Sequence, residues 1–318
     1  MSVPDRYSFI SYLEAKRAID DVALNRHVLE HLAEILKKLQ GRGTVTVLEV
    51  GCGIGTMVER MLDSGLLTRA VYTGIDFDPD TVAEAKKRLR GYADRKGFET
   101  VEQPDGPLCL RRQGAEFILK LMASDLFDFV GSEGENRGYD LIVAHAFLDL
   151  VDLESTLRLL FSAARPEGFL YFALNFDGAT IFEPQIDPIL DEQIETLYHQ
   201  DMDLRGGGGT LSQMSRTGRR LLAYLSRAGA TILASGGSDW IVYPGPEGYS
   251  PDEVYFLHFI IETVRAAVER RPGLDQTAFA AWIAERHNQV EQRELIYIAH
   301  QLDILAQVPS QGLRGCGR

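Results

Sequence analysis

The 318 residues contain only three cysteines, Cys52, Cys109 and Cys316. They form no CxxC pair and no Cys/His cluster, which leaves neither a disulfide framework nor a structural zinc site to build on. Positive charge is also scarce. Lys and Arg number 33 against 46 Asp and Glu, for a formal net charge of −13, and a surface of that sign repels phosphate backbones and anionic lipid. The most basic stretch, "AKKRLRGYADRK" (85–96), has the spacing of a solvated helix face. No run of about eighteen apolar residues occurs, and "MSVPDRYSFISYLEAKRAIDD" at the N-terminus lacks the apolar centre of a signal peptide. These absences point to a reducing, cytoplasmic setting, with no membrane and no nucleic-acid partner. No internal repeat is present.

What remains is ordinary globular composition, 45% hydrophobic and 25% charged. Leu24, Val28, Leu32, Ile35 and Leu39 recur at helical spacing, which predicts one helix over 12–40, ended by Gly41 and Gly43. Short β-rich runs then alternate with helical stretches: "VTVLEV" (45–50), "AVYTGID" (70–76), "EFILKLMAS" (116–124), "YDLIVAHAF" (139–147) and "GFLYFALNF" (168–176). This alternation predicts a doubly wound α/β fold with a mostly parallel sheet.

Two parts break the rhythm. "PLCLRRQGAEF" reads as an extra strand turning at Gln113-Gly114. Residues 178–213, polar, with several prolines and ending in "RGGGGT", read as a mobile lid too short for a core of its own. The expected organisation is an N-terminal helical segment (1–44), a core (45–177), the lid (178–213), the rest of the core (214–306) with a helical insert at 251–290, and a flexible tail (307–318). In the insert, "YFLHFIIETV" (255–264) is apolar nearly all round, which fits either burial against the core or a homodimer face.

The most informative stretch is "VLEVGCGIGTMVERML" (47–62). A strand ending in Gly51, Gly53 and Gly55 allows a tight turn into the next helix and leaves no side chain to obstruct a ligand lying on it. A bare turn without ligand is the plainer alternative. A dinucleotide site prefers G-x-G-x-x-G, and here the third place of that pattern is Thr56. Asp76 closes the second strand in "GIDFDPD", where a carboxylate can accept from both hydroxyls of a ribose. Phe77 beside it offers an apolar face or simple packing. Asp125 in "ASDLFDF" can accept from an adenine amino group while the Leu126 amide donates to the ring, or it can cap the next helix.

Taken in order, "VLEVGCGIG", "YTGIDFDPD", "ASDLFDF", "YDLIVAHAFLDL" and "RPEGFLYFAL" resemble the class I S-adenosylmethionine-dependent methyltransferases, over about residues 45–176. The resemblance implies the Rossmann-like methyltransferase fold, a seven-stranded sheet with an antiparallel last strand. It also implies that Gly51, Cys52, Gly53 and Gly55 lie along the methionine part of the cofactor and that Glu49 organises the loop. Asp76 and Phe77 would serve the ribose, Asp125 and Leu126 the adenine, and Ala144 and His145 would lie near the sulfonium. The segments 178–213 and 251–290 depart from the family pattern and would hold the acceptor.

Methyl transfer is an in-line displacement, so the protein must align the acceptor, exclude water and, for a hydroxyl, receive a proton. Strand ends nominate His145, Asp149, Asn175 and Asp177. Of these, His145 and Asp177, with His199 of the 178–213 segment, are the candidate catalytic groups. His145 has an ordinary pKa suited to a base, or it packs beneath the cofactor. Asp177 equally fits a turn with Gly178. His199, Asp201 and Asp203 have no spacing that would converge them on a metal. The reading is a methyltransferase of small molecules, at oxygen or nitrogen. Its alternatives are a protein or RNA methyltransferase and a protein that binds S-adenosylmethionine without catalysis.

Overall fold

The computed structural model describes residues 7–102, 106–131, 138–205 and 213–310. Two helices lead, α1 (Phe9–Ala23) and α2 (Arg26–Gln40), followed by β1 (Val45–Val50), α3 (Thr56–Asp63), β2 (Arg69–Asp76), α4 (Pro79–Arg95), β3 (Glu99–Glu102), β4 (Leu108–Arg112), β5 (Ala115–Ala123), α5 (Leu126–Gly131) and β6 (Tyr139–His145). The second half holds α6 (Leu153–Ala163), β7 (Ala164–Glu183), α7 (Pro188–Leu204), α8 (Thr217–Arg227), β8 (Thr231–Gly237), β9 (Trp240–Val242), α9 (Pro251–Val268), α10 (Gln276–Glu291) and β10 (Ile296–Gln307).

The strands form one sheet in the order β3-β4-β5-β2-β1-β6-β7-β10-β8, with β9 paired to β10. Neighbours from β5 to β7 are parallel, and β10 runs antiparallel to both β7 and β8. The expected seven-stranded core with its reversed last strand is therefore present, and β3, β4 and β9 extend it. Helices cover both faces, which is why β1 and β6 read as nearly unbroken apolar runs. Val28, Leu36, Met57 and Leu89 pack on one side, and Phe129, Leu157 and Leu221 on the other. Strand order reverses between β1 and β6, so a crevice opens beyond their C-terminal ends.

Three stretches differ from or refine the sequence expectation. The single helix over 12–40 is two helices, because Leu24 turns extended and Asn25 starts a new cap, its side chain accepting from the Val28 amide at 3.1 Å. The Asn25 amide donates to buried Asp303 of β10 at 2.8 Å, tying the break to the sheet. The strand before "EFILKLMAS" is confirmed: Arg112 pairs with Ala115 across the Gln113-Gly114 turn. Residues 178–183 continue β7, and Pro188 opens α7 behind an Asp187 cap. The glycines 206–209 of the expected lid lie outside the described residues.

Helix α7 buries Ile194, Tyr198 and Met202 in a third apolar cluster with α1, α9 and α10. Tyr12 of α1 stacks on Phe259 of α9 with ring centroids 4.0 Å apart. Of the two readings of "YFLHFIIETV", the structure shows burial, since Phe256, Leu257, Phe259, Ile260 and Ile261 all lie inside this cluster. Among the described residues no helix is long and apolar enough to cross a membrane.

Candidate active site

The loop after β1 is built from backbone that only glycine adopts easily. Gly51, Gly53 and Gly55 have φ of 66°, 52° and 80°. A Cβ on Gly51 would come within 2.5 Å of the Phe147 ring, and one on Gly55 within 3.0 Å of Leu89, whereas one on Gly53 would meet only Leu13 of α1 at 3.6 Å. The outer surface of the loop at Gly53 is thus the open one. Cys52 is buried, its side chain packed against Gly74, so its backbone, not its thiol, borders the crevice.

Asp76 ends β2 beside this loop. Its Oδ2 accepts the Gly53 amide at 2.9 Å and its Oδ1 the Asp78 amide at 3.1 Å. Burial raises its pKa, and the remaining lone pairs of both oxygens are available to a ligand. Glu49, one residue inside β1, is almost wholly buried and accepts from the Tyr72 hydroxyl at 2.8 Å. Burial pushes it up to about 8, the Tyr72 hydrogen bond and the Arg60 charge opposing.

Two large apolar side chains stand exposed along the same edge, Phe77 at 80% and Phe127 at 49%. They follow β2 and β5, which are paired neighbours with Asp76 opposite Ala123. Between them, Asp125 caps α5, its Oδ1 accepting the Phe127 amide at 2.7 Å. Leu126 is buried in the core below. Phe127 escaped sequence reading because an isolated aromatic after a cap looks like packing.

At the end of β6, Ala144 is buried opposite Val50. His145 lies under α1, its Nε2 3.3 Å from Arg60 Nη1 and 3.6 Å from Asp20 Oδ2. Burial, then the Lys16 and Arg60 charges, hold its pKa well below the usual histidine value. Lys16 pairs with Asp20, four residues on along α1, at 2.6 Å, and Trp240 Nε1 donates to Asp20 at 2.9 Å. Arg60 also pairs with Asp21. The buried Arg60 is the member that sequence reading missed, since on a short helix it looks like a solvent-facing residue. Arg17, four residues before Asp21, reaches Glu59 at 2.6 Å, so α1 is fastened over the loop by charge.

Past a left-handed residue at Ala146 (φ 50°), Asp149 sits on a 3-10 turn, Leu148–Leu150. One of its carboxylate oxygens is buried without a partner. Burial raises Asp149 to about 6, against the Lys16 and Arg205 charges. Its charge in turn helps to raise the phenols of Tyr12 and Tyr198, whose shifts come mainly from burial.

The other two candidates are engaged elsewhere. Asp177 Oδ1 accepts from the Arg219 amide and Nε, both at 2.8 Å, and anchors α8. His199 contacts Thr180 Oγ1 at 3.0 Å, and burial lowers its pKa to about 4. Asp201 pairs with Arg205 and Arg271, and Asp203 accepts the Ser215 amide, so these side chains diverge.

Residues 48–170 match the family profile of a methyltransferase domain. This stretch is a methyltransferase domain. The chain is 29% identical over 149 residues to a malonyl-acyl-carrier-protein O-methyltransferase of Bacillus cytotoxicus, covering 46% of this chain and 40% of the relative. It is 26% identical over 151 residues to a non-reducing polyketide synthase of Penicillium roqueforti, covering 46% of this chain and 5% of that protein. The chain thus spans less than half the length of either curated relative. Among solved structures, a geranyl diphosphate methyltransferase in complex with GPP and sinefungin aligns over 83% of this chain and 72% of that one, at 12% identity and a TM-score of 0.40.

The methyltransferase domain offers groups that fit S-adenosylmethionine: an open glycine turn at Gly53, a carboxylate with spare lone pairs at Asp76, and exposed aromatic faces at Phe77 and Phe127.

Proposed function

We propose that this chain transfers a methyl group from S-adenosylmethionine to a small molecule, at oxygen or nitrogen, in a reducing cytoplasmic setting. The cofactor supplies an electrophilic methyl on a sulfonium, and the residues bind, orient and manage the proton. Asp76 receives the ribose hydroxyls, with Phe77 against the sugar. Asp125 and the Leu126 amide serve the adenine edge, and Phe127 its face. The backbone of Gly51, Cys52, Gly53 and Gly55 follows the methionine part, braced by Glu49, while Ala144 and His145 border the methyl. The observation that carries this reading is the Gly53 amide bonded to Asp76 at 2.9 Å, which joins the open turn to a carboxylate on the neighbouring strand.

For the proton, Asp149, itself nominated from its place after β6, is a better acceptor than His145, Asp177 and His199. Its unpartnered buried oxygen and a pKa of about 6 suit a base near neutrality. Asp177 is committed to Arg219, and His145 lies against two cations. A small acceptor is favoured by the net charge of −13, and the O-methyltransferase relative supports oxygen. Calorimetric titration with S-adenosylhomocysteine and with NADH tests the cofactor, and labelled methyl incorporation into a panel of hydroxyl and amine acceptors tests the transfer. Binding of NADH in place of S-adenosylhomocysteine would overturn the reading.

A further inference from the structure

A groove of about 600 Å³ runs between α2 and α3, below the end of α1 and on the helical face of the sheet rather than at its C-terminal edge. Leu29 and Ala33 of α2 form one wall, Met57 and Met61 of α3 the other, and Tyr171 of β7 the floor. Apolar walls of this kind ordinarily close on each other in a packed core. Here Leu29 and Ala33 stay partly exposed.

Two polar atoms lining the groove are buried and unpaired. The hydroxyl of Tyr171, a residue with no exposed surface, has no hydrogen-bond partner. Neither has Arg17 Nε, which stands 3.8 Å from Asp21, beyond hydrogen-bonding reach, while Nη1 of the same side chain pairs with Glu59 at 2.6 Å. Both are donors, and burial keeps the Tyr171 phenol protonated by raising its pKa well above the usual value. Leaving two buried donors unpaired is unfavourable unless an acceptor reaches them. The lining also carries Arg26 and Arg60, balanced by the carboxylates of Asp21, Glu30 and Asp63, and Arg60 is paired with Asp20 and Asp21.

We infer that this groove is a second ligand site, which takes a small carboxylic acid with a compact apolar body. The carboxylate accepts from the Tyr171 hydroxyl and Arg17 Nε, and the apolar body lies between the leucine and methionine walls. An uncharged molecule of the same shape accepts more weakly from these two donors than a carboxylate does.

Octanoate is the probe, with octanamide as its uncharged counterpart, titrated calorimetrically into the full chain without cofactor. Octanoate should bind, and octanamide at least tenfold more weakly. Tyr171→Phe, which removes only the hydroxyl, should weaken octanoate by about tenfold, the usual scale for a hydrogen bond to a charged group. Ala33→Trp, which fills the groove from its exposed wall, should abolish binding while leaving S-adenosylhomocysteine affinity unchanged. Failure of octanoate to bind the wild-type chain, equal binding of octanamide, or undiminished binding to Ala33→Trp would each overturn the inference. Because no cofactor is present, a failure of the methyltransferase reading shows separately, as loss of S-adenosylhomocysteine binding with octanoate binding intact.

Discussion

Gly53 and Asp76 are joined by a hydrogen bond of 2.9 Å between the ends of two adjacent strands. The glycine turn and the carboxylate therefore hold one geometry, and removing the carboxylate releases both. Asp76→Ala should weaken S-adenosylhomocysteine by more than tenfold, since two ribose hydroxyls and the Gly53 amide lose a charged acceptor together. Calorimetry on the wild-type and variant chains measures this, and equal affinities would remove Asp76 from the site.

Gly51→Ala should destabilise the fold by about 1–3 kcal/mol, the scale of a non-glycine residue forced into the left-handed region. The Phe147 ring, 2.5 Å from the new methyl, must also move. Gly65→Ala, at the same left-handed φ (67° against 66°) but with nothing within 4 Å, is the comparison that separates the crowding from the backbone strain. Urea denaturation of both variants gives the difference.

Glu49 gives the stability a pH dependence of known sign. Its folded pKa, about 8, lies above the unfolded value of 4.5. The native state therefore holds a proton that the unfolded chain has released across that interval. The stabilisation is complete below pH 4.5 and is lost as pH rises through 8. Glu49→Gln keeps the shape and removes the titration, so its unfolding free energy should fall less steeply than that of the wild type between pH 5 and about pH 8. Parallel slopes in the two chains would show that Glu49 is ionised in the folded state.

Burial places His145 and Asp149 in opposite protonation regimes: His145 is held neutral well below its usual range, and Asp149 titrates near 6. Single-turnover methyl transfer should thus fall as pH drops through about 6, with the limb kept in His145→Gln and lost in Asp149→Asn. The Asp149→Asn rate should be lower by roughly a hundredfold, in the usual range for a general base. A limb that survives Asp149→Asn and disappears with His145→Gln would reverse the assignment.

The strand alternation was legible because both sheet faces are covered, so β1 and β6 carry apolar residues on either side. The cap at Asp125 was legible because its partner lies two residues on. The Arg60 contacts were not, since Asp20 and His145 stand 40 and 85 positions away and no local pattern announces such a meeting. Helix α7 was hidden for a different reason. Asp187 and Pro188 are a cap and a first-turn proline, both helix-start signals, yet in a polar stretch they read as turn residues. The four-residue spacing of Ile194, Tyr198 and Met202 outweighs them.

Strand β7 is 20 residues long, and β10 pairs with it both before and after Leu174, where φ turns to 55°. The core and the layer carrying α7 and α9 consequently share a continuous hydrogen-bonded backbone instead of a linker. A two-jawed enzyme adjusts its opening by hinging, but this crevice has a stiff back wall common to both jaws. On the proposed reading, the choice of acceptor falls to side chains of α1 and the Asp149 turn, and a few substitutions there can change that choice while the frame stays as it is.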